Sequence, residues 1–514
     1  MHGPQQAEAL AALLADTGNA RAAWDWAIDR RQVGRLERAL AGICTCYFRQ
    51  GRFQEGRELC ATAAGRLARM SSTDALADRP AALQPYSLSH AHTRARLQRL
   101  WVKVLAWQAH FCRLLERTER AEELLQQSLA LLAGADLAGQ DTRAERAFVL
   151  RQAGALAGDE DRKRALELHQ ESLALYQNLG DRPGAADALI RLGWLHRYTG
   201  AYGRGQQAFG ESLAIWQALG SRMGLSEAYW GLSGIALRQG RMEEAEQLVR
   251  QSLTAYPDEG DALGRTIRRH HLAETLVDVG KFVEGRCLLE QGLSLFQELG
   301  IEAGIAFGHV ALARANLHLG QDPQARALGQ EGQRLWRGLD LHRNSPMTHL
   351  VLGNVALAEG VFAEAVALLE EGLRLMRQVE PFSEMAWLLG SLSLAGRGLG
   401  QIPEAHQHLV DGLQAALEIR SALALVDLLP PAALLLADAG QVEQAVELYA
   451  LASRFGRVVN SQWFHDMAGA QIEALAETLP PEAMADARQR GQDQDLATSA
   501  RELLQQLTTW DSTP

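Results

Sequence analysis

Apolar residues recur at intervals of three and four along most of the chain, and the same pattern returns every 40 residues. In the segment from 200 to 224, Ala208, Leu213 and Trp216 would share one side of a helix. Glycine returns seven times in one register. These glycines are Gly200, Gly240, Gly280, Gly320, Gly360, Gly400 and Gly440. The pattern predicts a chain built from amphipathic helices of one repeated length.

Small residues flank each repeated glycine at two fixed distances. Those five residues later are Gly205, Ala245, Gly285, Ala325, Ala365, Ala405 and Ala445. Those seven residues earlier are Gly193, Ser233, Ala273, Ala313, Gly353, Ser393 and Ala433. A glycine can end a first helix in a left-handed cap, and small residues on both sides let a second helix pack closely against it. Each repeat is therefore predicted to be a helical hairpin.

The second helix of each hairpin carries a large side chain in one repeated position. This position is occupied by Trp216, Tyr256, Phe296, Trp336 and Met376. Each lies three residues after a position that is leucine in most repeats. Such a stripe is typical of packing between successive repeats rather than of a cofactor site. We therefore predict that these side chains are core residues and that the chain has no cofactor.

The segment from 192 to 202 resembles the tetratricopeptide repeat (TPR). The pair Leu192-Gly193, the turn Gly200 and the aromatic Tyr202 fall where that family's signature places them. The resemblance extends over about residues 33–455 and implies an all-α, right-handed superhelical solenoid of antiparallel helix pairs. Since the period is 40 residues rather than about 34, either the helices or the connections between pairs must be longer.

The regularity of the pattern divides the chain into four predicted segments. They are an N-terminal helical linker (1–32), irregular repeats (33–159), regular repeats (160–455) and a C-terminal helical cap (456–514). Residues 70–88 are predicted to form a loop, followed by a long helix to about Glu116. In the cap, Leu479-Pro480-Pro481-Glu482 predicts a helix with proline in its first turn. Such a cap would cover the exposed apolar end of the last repeat.

Composition excludes several kinds of partner. The formal net charge of -11 argues against nucleic-acid binding by this chain, because phosphate recognition relies on clustered cations. Five cysteines within helical patterns are typical of reduced thiols in the cytoplasm. The longest apolar run, 422–437, is interrupted by Asp427 and by Pro430-Pro431, which argues against a membrane span. We expect a soluble cytoplasmic protein.

No sequence motif for catalysis or metal binding is evident. The zincin, nucleophile-elbow, paired-cysteine and dinucleotide-binding patterns are all missing. Cys44 and Cys46, like His406 and His408, are two residues apart, which on a helix turns the side chains about 200° from each other. Neither pair can chelate a metal together, so we predict neither a metal site nor an enzyme.

A basic cluster is formed by Arg265, Arg268, Arg269, His270 and His271. A run of charges on one helix is usually solvated. We interpret this cluster as a solvated helix face.

Two terminal segments resemble a larger family, the bacterial signal-transduction ATPases with numerous domains (STAND proteins). Residues 19–27 resemble the helix that follows the winged-helix domain of such proteins, and residues 450–455 and 460–464 resemble their C-terminal cap. The phosphate-binding loop of the family is missing, since the single Gly-Lys pair, Gly280-Lys281, is followed by Phe282. The resemblance implies a sensor region that works with an ATPase module in cis or in trans.

In TPR proteins the first helices of the pairs line a concave groove. Carrying the family's groove positions onto this sequence predicts contacts with a protein, peptide or small-molecule effector. The predicted groove residues are Asp187, Trp194, Arg197, Tyr198, Glu227, Trp230, Arg238, His270, Glu274, Arg314, His318, Asn354, Trp387 and Arg397. Indole rings and guanidinium groups together suit stacking and charge-assisted hydrogen bonds. The alternative to a STAND sensor is a freestanding TPR scaffold that assembles other proteins, with an unrecognised enzyme as a third hypothesis.

Overall fold

The structure is a computed structural model. It describes residue 12 and residues 15–71, 90–158, 161–257, 261–339, 345–377 and 383–509. Within this part of the chain every regular element is a helix. The all-α prediction is confirmed. Met70 and Ser71, predicted as the start of a loop, are the last two residues of a helix, and the rest of the predicted loop at 70–88 lies outside the described residues. The long helix expected after it runs from His90 to Leu114.

The N-terminal helices precede the regular repeats. They are α1 (Thr17–Asp29), α2 (Val33–Arg49), α3 (Phe53–Ser71), α4 (His90–Leu114), α5 (Thr118–Leu132) and α6 (Arg143–Ala157), with a short 3₁₀ helix at Ala135–Leu137. The repeats continue through α7 (Arg162–Asn178), α8 (Arg182–Tyr198), α9 (Tyr202–Leu219), α10 (Arg222–Arg238), α11 (Met242–Ala255), α12 (Ala262–Asp278) and α13 (Phe282–Glu298).

The next helices are α14 (Glu302–His318), α15 (Asp322–Gly338), α16 (Ser345–Ala358), α17 (Phe362–Met376), α18 (Ser383–Gly398), α19 (Ile402–Glu418), α20 (Ala422–Asp438) and α21 (Val442–Ala452). The C-terminal elements are α22 (Gly456–Val459), α23 (Gln462–Phe464), a π-helix (His465–Gly469), α24 (Ala470–Ala476), α25 (Pro481–Asp493) and α26 (Leu496–Thr509). The predicted helix start at Pro480-Pro481 is confirmed.

Long helices account for the 40-residue period. Helices α8, α9 and α10 contain 17, 18 and 17 residues and are joined by turns of three and two residues. The sequence left two explanations open, and the structure selects longer helices with short connections.

Glycine closes the turn inside each regular pair. All seven glycines of the repeat have a positive φ, between 68° at Gly200 and 89° at Gly280. This is the left-handed region that glycine enters without a Cβ penalty. The turns between pairs use the same device at Gly180, Gly220 and Gly300, while Arg420 takes that place with φ 52°. The predicted left-handed caps are confirmed.

The chain divides into two compact units. Unit 1 comprises Met1–His196, Gly203–Ala228 and Thr254–Arg265, and unit 2 comprises Arg197–Tyr202, Tyr229–Leu253 and Thr266–Pro514. In unit 1, consecutive helices enclose Leu36, Tyr47, Phe111 and Leu124, each at most 1% exposed. In the same unit, Arg49 Nη1 donates a hydrogen bond to the Tyr256 hydroxyl at 2.7 Å.

The core of unit 2 is centred on α20, which is buried along nearly its whole length. Pro430 and Pro431 lie inside this helix rather than ending it. Helices α25 and α26 pack on α21 and on α19 and α20, and Leu503 and Leu507 of α26 join the core. These two helices cover the last repeat. No helix in the described ranges is long and apolar enough to cross a membrane.

The repeated large side chains pack where one pair meets the next, as predicted. Trp216, Tyr256, Phe296 and Trp336 are at most 4% exposed. The rings of Tyr176, Trp216, Tyr256 and Phe296 lie against a glycine of the following helix. Those glycines are Gly184, Gly224, Gly264 and Gly304. This second glycine series also repeats every 40 residues, and the sequence reading missed it.

Candidate functional site

In unit 2, a short C-terminal segment of the chain lies across the first helices of several pairs. We call residues 456–464 the tail segment. Asn460 Nδ2 donates to the carbonyl oxygen of Gly280 at 3.3 Å, beside the end of α12. Trp463 Nε1 donates to the carbonyl oxygen of Asn354 at 3.1 Å, in α16. Because α12 and α16 are first helices two pairs apart, the segment spans three successive repeats.

The tail segment places a buried guanidinium group among two carboxylates. Arg457, which is 4% exposed, donates from Nε and Nη2 to the two carboxylate oxygens of Asp427, both at 2.7 Å. Its Nη1 lies 3.3 Å from Asp278 Oδ1, which also accepts a hydrogen bond from Arg314 at 2.8 Å. Burial raises the pKa of Asp427, and the charge and hydrogen bonds of Arg457 oppose that rise. The four formal charges alternate and cancel, as a buried network requires.

Two guanidinium groups lie close to the indole ring of Trp387. Arg457 Cζ is 5.2 Å from the ring centroid and Arg238 Cζ is 6.0 Å from it. Arg238 also lies 3.6 Å from Glu384. Trp387 is 5% exposed, so these cation–π contacts are formed with little competition from water.

A second anchor of the tail segment lies on α14. His318 Nδ1 and Ser461 Oγ are 2.8 Å apart, and the His318 ring stacks on Phe282 with centroids 4.6 Å apart. Trp463 meets the same imidazole edge-on at 6.2 Å. Burial, reinforced by the charge of Arg457 and a second arginine, holds the pKa of His318 well below its usual range. The imidazole is therefore neutral at pH 7.

A small cavity remains between the tail segment and the first helices of unit 2. Its volume is about 30 Å³, and its lining includes Asn354, Trp387 and Arg457. Among the described residues, Asn354 Oδ1 and Trp387 Nε1 have no hydrogen-bond partner. The space would hold about two water molecules, and these two atoms could bind them.

Another aromatic group lies on α10 and α12. The rings of Trp230 and His271 stack face to face, 3.8 Å apart and 6° from parallel, and Arg268 Cζ lies 5.0 Å from the Trp230 ring centroid. Burial and then the charge of Arg268 keep the pKa of His271 well below its usual range. The interpretation of this basic cluster as a solvated face is wrong for Arg268 and His270, which are 8% and 7% exposed. Both side chains lie against aromatic rings, Arg268 against Trp230 and His270 edge-on to Phe296.

Three of the predicted groove residues lie in unit 1. Asp187 accepts a hydrogen bond from Arg151 at 2.5 Å. Trp194 meets Phe209 edge-on with centroids 5.3 Å apart, so part of its surface packs within its own helix pair. Glu227 is half-buried on α10.

The other predicted groove residues lie in unit 2 and form separate groups. Arg314, His318, Asn354 and Trp387 line the cavity beside the tail segment, and Arg238 lies 6.0 Å from the Trp387 ring centroid. Arg197 Cζ lies 5.1 Å from the ring centroid of Tyr198 on the same helix. Glu274 is 3.7 Å from His270. Arg397 forms a bidentate ion pair with Asp438 at 2.6 and 2.8 Å and also donates to Gln471, apart from the tail segment.

Sequence reasoning missed Asp427, Arg457 and Trp463 as part of this surface. It treated Asp427 only as an interruption of an apolar run and the other two as parts of a cap. One signal was present, because a carboxylate inside a buried apolar helix requires a cation as partner. Nothing in the sequence indicates which of its many arginines supplies that cation.

No group of three or more His, Cys, Asp and Glu side chains that could hold a metal ion occurs among the residues that the structure describes. Buried hydrogen-bonding groups, cations and indole rings instead form the chemistry of this surface. Such groups recognise polypeptide segments and other partly charged molecules.

Residues 144–218, which form α6 to α9, match the family model of the tetratricopeptide repeat. This segment of the chain is therefore a TPR domain. No curated protein matches the chain.

Several solved structures resemble the chain at low identity. A Rap protein in complex with competence and sporulation factor is 14% identical, with a TM-score of 0.49, covering 79% of this chain and 99% of that protein. The apo form of the quorum sensor NprR from B. thuringiensis is 13% identical, with a TM-score of 0.48, covering 70% of this chain and 99% of the other. The Rap conjugation gene regulator of plasmid pLS20, in complex with the Phr* peptide, is 14% identical, with a TM-score of 0.43. The match covers 80% of this chain and 97% of that protein.

Proposed function

We propose that this chain is the ligand-recognition and autoinhibitory TPR domain of a STAND-type ATPase switch, in which first helices of the pairs bind an effector. One observation carries the binding part of the proposal: a polypeptide segment, residues 456–464, already lies on this surface. It is held by a buried arginine, by a backbone-bonded indole and by a seryl hydroxyl. A surface that holds such a segment has the chemistry to recognise a peptide or a loop of another protein.

The link to an ATPase is supported by the sequence at both ends of the chain. Residues 19–27 resemble the helix that follows the winged-helix domain of STAND proteins, and residues 450–455 and 460–464 resemble their C-terminal cap. Since the phosphate-binding loop is missing from this sequence, the ATPase module would act in cis or in trans. Effector binding would bias the switch by favouring one arrangement of the repeats, which contact mainly their neighbours. A change from nearly off to nearly on requires about 5.5 kcal/mol of differential binding.

The experiment begins with the purified native complex. Proteins that copurify with the full chain from its native host are identified by mass spectrometry, and their binding is then measured by calorimetry with purified components. The groove variant is Trp230→Ala, which removes the ring stacked on His271. Its matched control is Trp26→Ala. This substitution removes a half-exposed indole in α1, far from Trp230 in the sequence.

A nucleotide-binding protein among the partners, together with an effector whose affinity falls in Trp230→Ala only, is the expected result. Equal affinities for wild type and both variants would remove this part of the surface from the binding site. Stable partners with no nucleotide-binding protein among them would instead support the TPR scaffold.

A further inference from the structure

The surface under the tail segment is built to recognise a guanidinium group. Asp427 offers both carboxylate oxygens to Arg457, Asp278 offers a third oxygen, and the Trp387 ring centroid lies 5.2 Å from the guanidinium carbon. A planar fork of donors fits two carboxylate oxygens and an aromatic face, whereas a lysine ammonium offers a single point charge. Without Arg457, two carboxylates would face Arg314 as their remaining cation in this network. The site then carries a net negative charge and requires a cation.

A second subsite accepts an indole ring six residues further along the tail segment. Trp463 is 5% exposed, and its Nε1 donates to the carbonyl oxygen of Asn354 at 3.1 Å. Ser461 meets His318 between the two anchors. Between Arg457 and Trp463, Val458 and Ser461 are buried, at 1% and 2% exposed, whereas Val459 is 59% exposed. The segment is thus held by polar anchor points together with the buried apolar side chains of Val458 and Phe464.

Helices other than the tail segment cover the end of the last repeat. Helices α25 and α26 pack on α19, α20 and α21 and bring Leu503 and Leu507 into the core. The tail segment instead contacts repeats far earlier in the chain, at Gly280 and Asn354. Its elements are short, since α22 has four residues and α23 has three. Such helices are marginal by themselves and depend on the surface that they contact.

We propose that residues 456–464 are a built-in pseudo-ligand, and that the ligand they imitate is a partner-protein segment with an arginine followed six residues later by a tryptophan. Binding of the partner segment displaces the tail segment from Asp427, Asp278 and Asn354. This rests on the proposed function, because it names the effector's chemistry and the autoinhibitory contact of that same surface. The cavity beside Trp387, with two buried polar atoms that lack protein partners, leaves room for small differences between the tail segment and the partner segment.

Glycine substitutions offer a way to loosen the tail segment without changing its charge. A Cβ on Gly280 would collide with the backbone of Gly456, whereas a Cβ on Gly360 would meet nothing within 4 Å. Both glycines have a positive φ, 89° and 74° respectively. Gly280→Ala and Gly360→Ala therefore share backbone strain of the same kind, and the first alone also pushes the tail segment away.

The probe is a fluorescent synthetic peptide with the sequence of residues 453–468, titrated into the full-length chain and followed by fluorescence anisotropy. Apparent affinity is reduced by the fraction of chains whose site is occupied by their own tail segment. We expect the peptide to bind Gly280→Ala and Arg457→Ala about ten-fold or more tighter than wild type and Gly360→Ala. A peptide with lysine in place of the residue that corresponds to Arg457 should bind weakly to all of them. Circular dichroism confirms that each variant is folded.

Equal binding of the peptide by wild type, Gly280→Ala and Arg457→Ala would overturn the proposal, because the tail segment would then be a permanent part of the fold. Binding that survives Asp427→Asn in the Arg457→Ala chain would also overturn it, since the guanidinium site would not be involved. A concentration-dependent dimer of wild type that the peptide dissociates would assign the site to a second copy of this chain and overturn the choice of a different partner.

The outcome for the proposed function is separate. If an effector still requires Trp230 while the peptide fails to bind any variant, the pseudo-ligand is refuted and the proposed function stands. If the peptide binds as expected but no copurifying effector depends on the surface, the pseudo-ligand is supported and the sensor function is refuted.

Discussion

The close contact between the two helices of a pair can be tested at Gly193, in the middle of α8. A Cβ built on this glycine would lie 2.7 Å from two ring carbons of Phe209 in α9. Carbon atoms normally approach to about 3.5–4.0 Å, so the ring would have to move by close to 1 Å. Phe209 is fully buried and Trp194 lies against it, which leaves little room for that movement. Overpacking of this kind costs about 1–3 kcal/mol.

An alanine in a helix interior also brings a gain of about 0.5–1 kcal/mol over glycine. Gly193→Ala should therefore destabilise the protein by about 0.5–2 kcal/mol in total. The matched control is Gly210→Ala in the interior of α9, where a Cβ would meet nothing within 4 Å. That substitution should stabilise the protein by about 0.5–1 kcal/mol. Both positions belong to unit 1, so the same unfolding event reports on them.

The assay is urea unfolding followed by far-UV circular dichroism, with hydrogen exchange measured on peptides from residues 182–219. The expected result is a lower midpoint and faster exchange in Gly193→Ala, and a higher midpoint in Gly210→Ala. If Gly193→Ala proved as stable as Gly210→Ala, small residues would not be required for the close approach of the helices. The packing explanation of the repeat would then be refuted.

Burial and nearby arginines lower the pKa of His169 to about 3. Between pH 6.5 and 3 the unfolded chain therefore binds more protons than the folded chain, and the free energy of unfolding should fall as the pH falls through this window. From pH 7.5 to pH 5 this imidazole should account for a loss of about 2 kcal/mol in unfolding free energy, and His169→Gln should lack that loss. Parallel profiles of unfolding free energy against pH for wild type and His169→Gln would contradict this prediction. Arg457→Ala should cost about 3–5 kcal/mol in urea unfolding because it leaves buried carboxylates without their partner, whereas the exposed Arg374→Ala should change little; equal effects would refute the role of the network. With a thiol reagent the exposed Cys287 should react quickly, while Cys44, whose pKa is raised by burial, should react only on unfolding; rapid modification of more than one thiol in the folded chain would contradict this.

The periodic features of the fold were predictable because each depends on a local rule. A glycine every 40 residues with small neighbours specifies a left-handed turn between two closely packed helices, and this holds from Gly200 to Gly440. The large residues at Trp216 and Phe296 follow the same rule, since one side of a helix must be buried. The length of the helices was not predictable in the same way, because the period alone does not divide 40 residues between helix and connection.

The candidate site was predictable in part. The sequence selected Arg314, His318, Asn354 and Trp387 from their positions on first helices, and the tertiary structure brings them to one surface. The sequence did not show that the tail segment occupies that surface.

By itself the sequence determined the all-α class, the repeat, its turns and its buried stripe, because these depend on residues a few positions apart. Only the tertiary structure decided that Arg457 pairs with Asp427 and Asp278, which are 30 and 179 residues away along the chain. The chain has 51 lysine and arginine residues and 62 acidic ones, so composition offers many possible partners for a buried carboxylate. The selection among them depends on which groups the packing of the repeats removes from water together, and that depends on the whole fold.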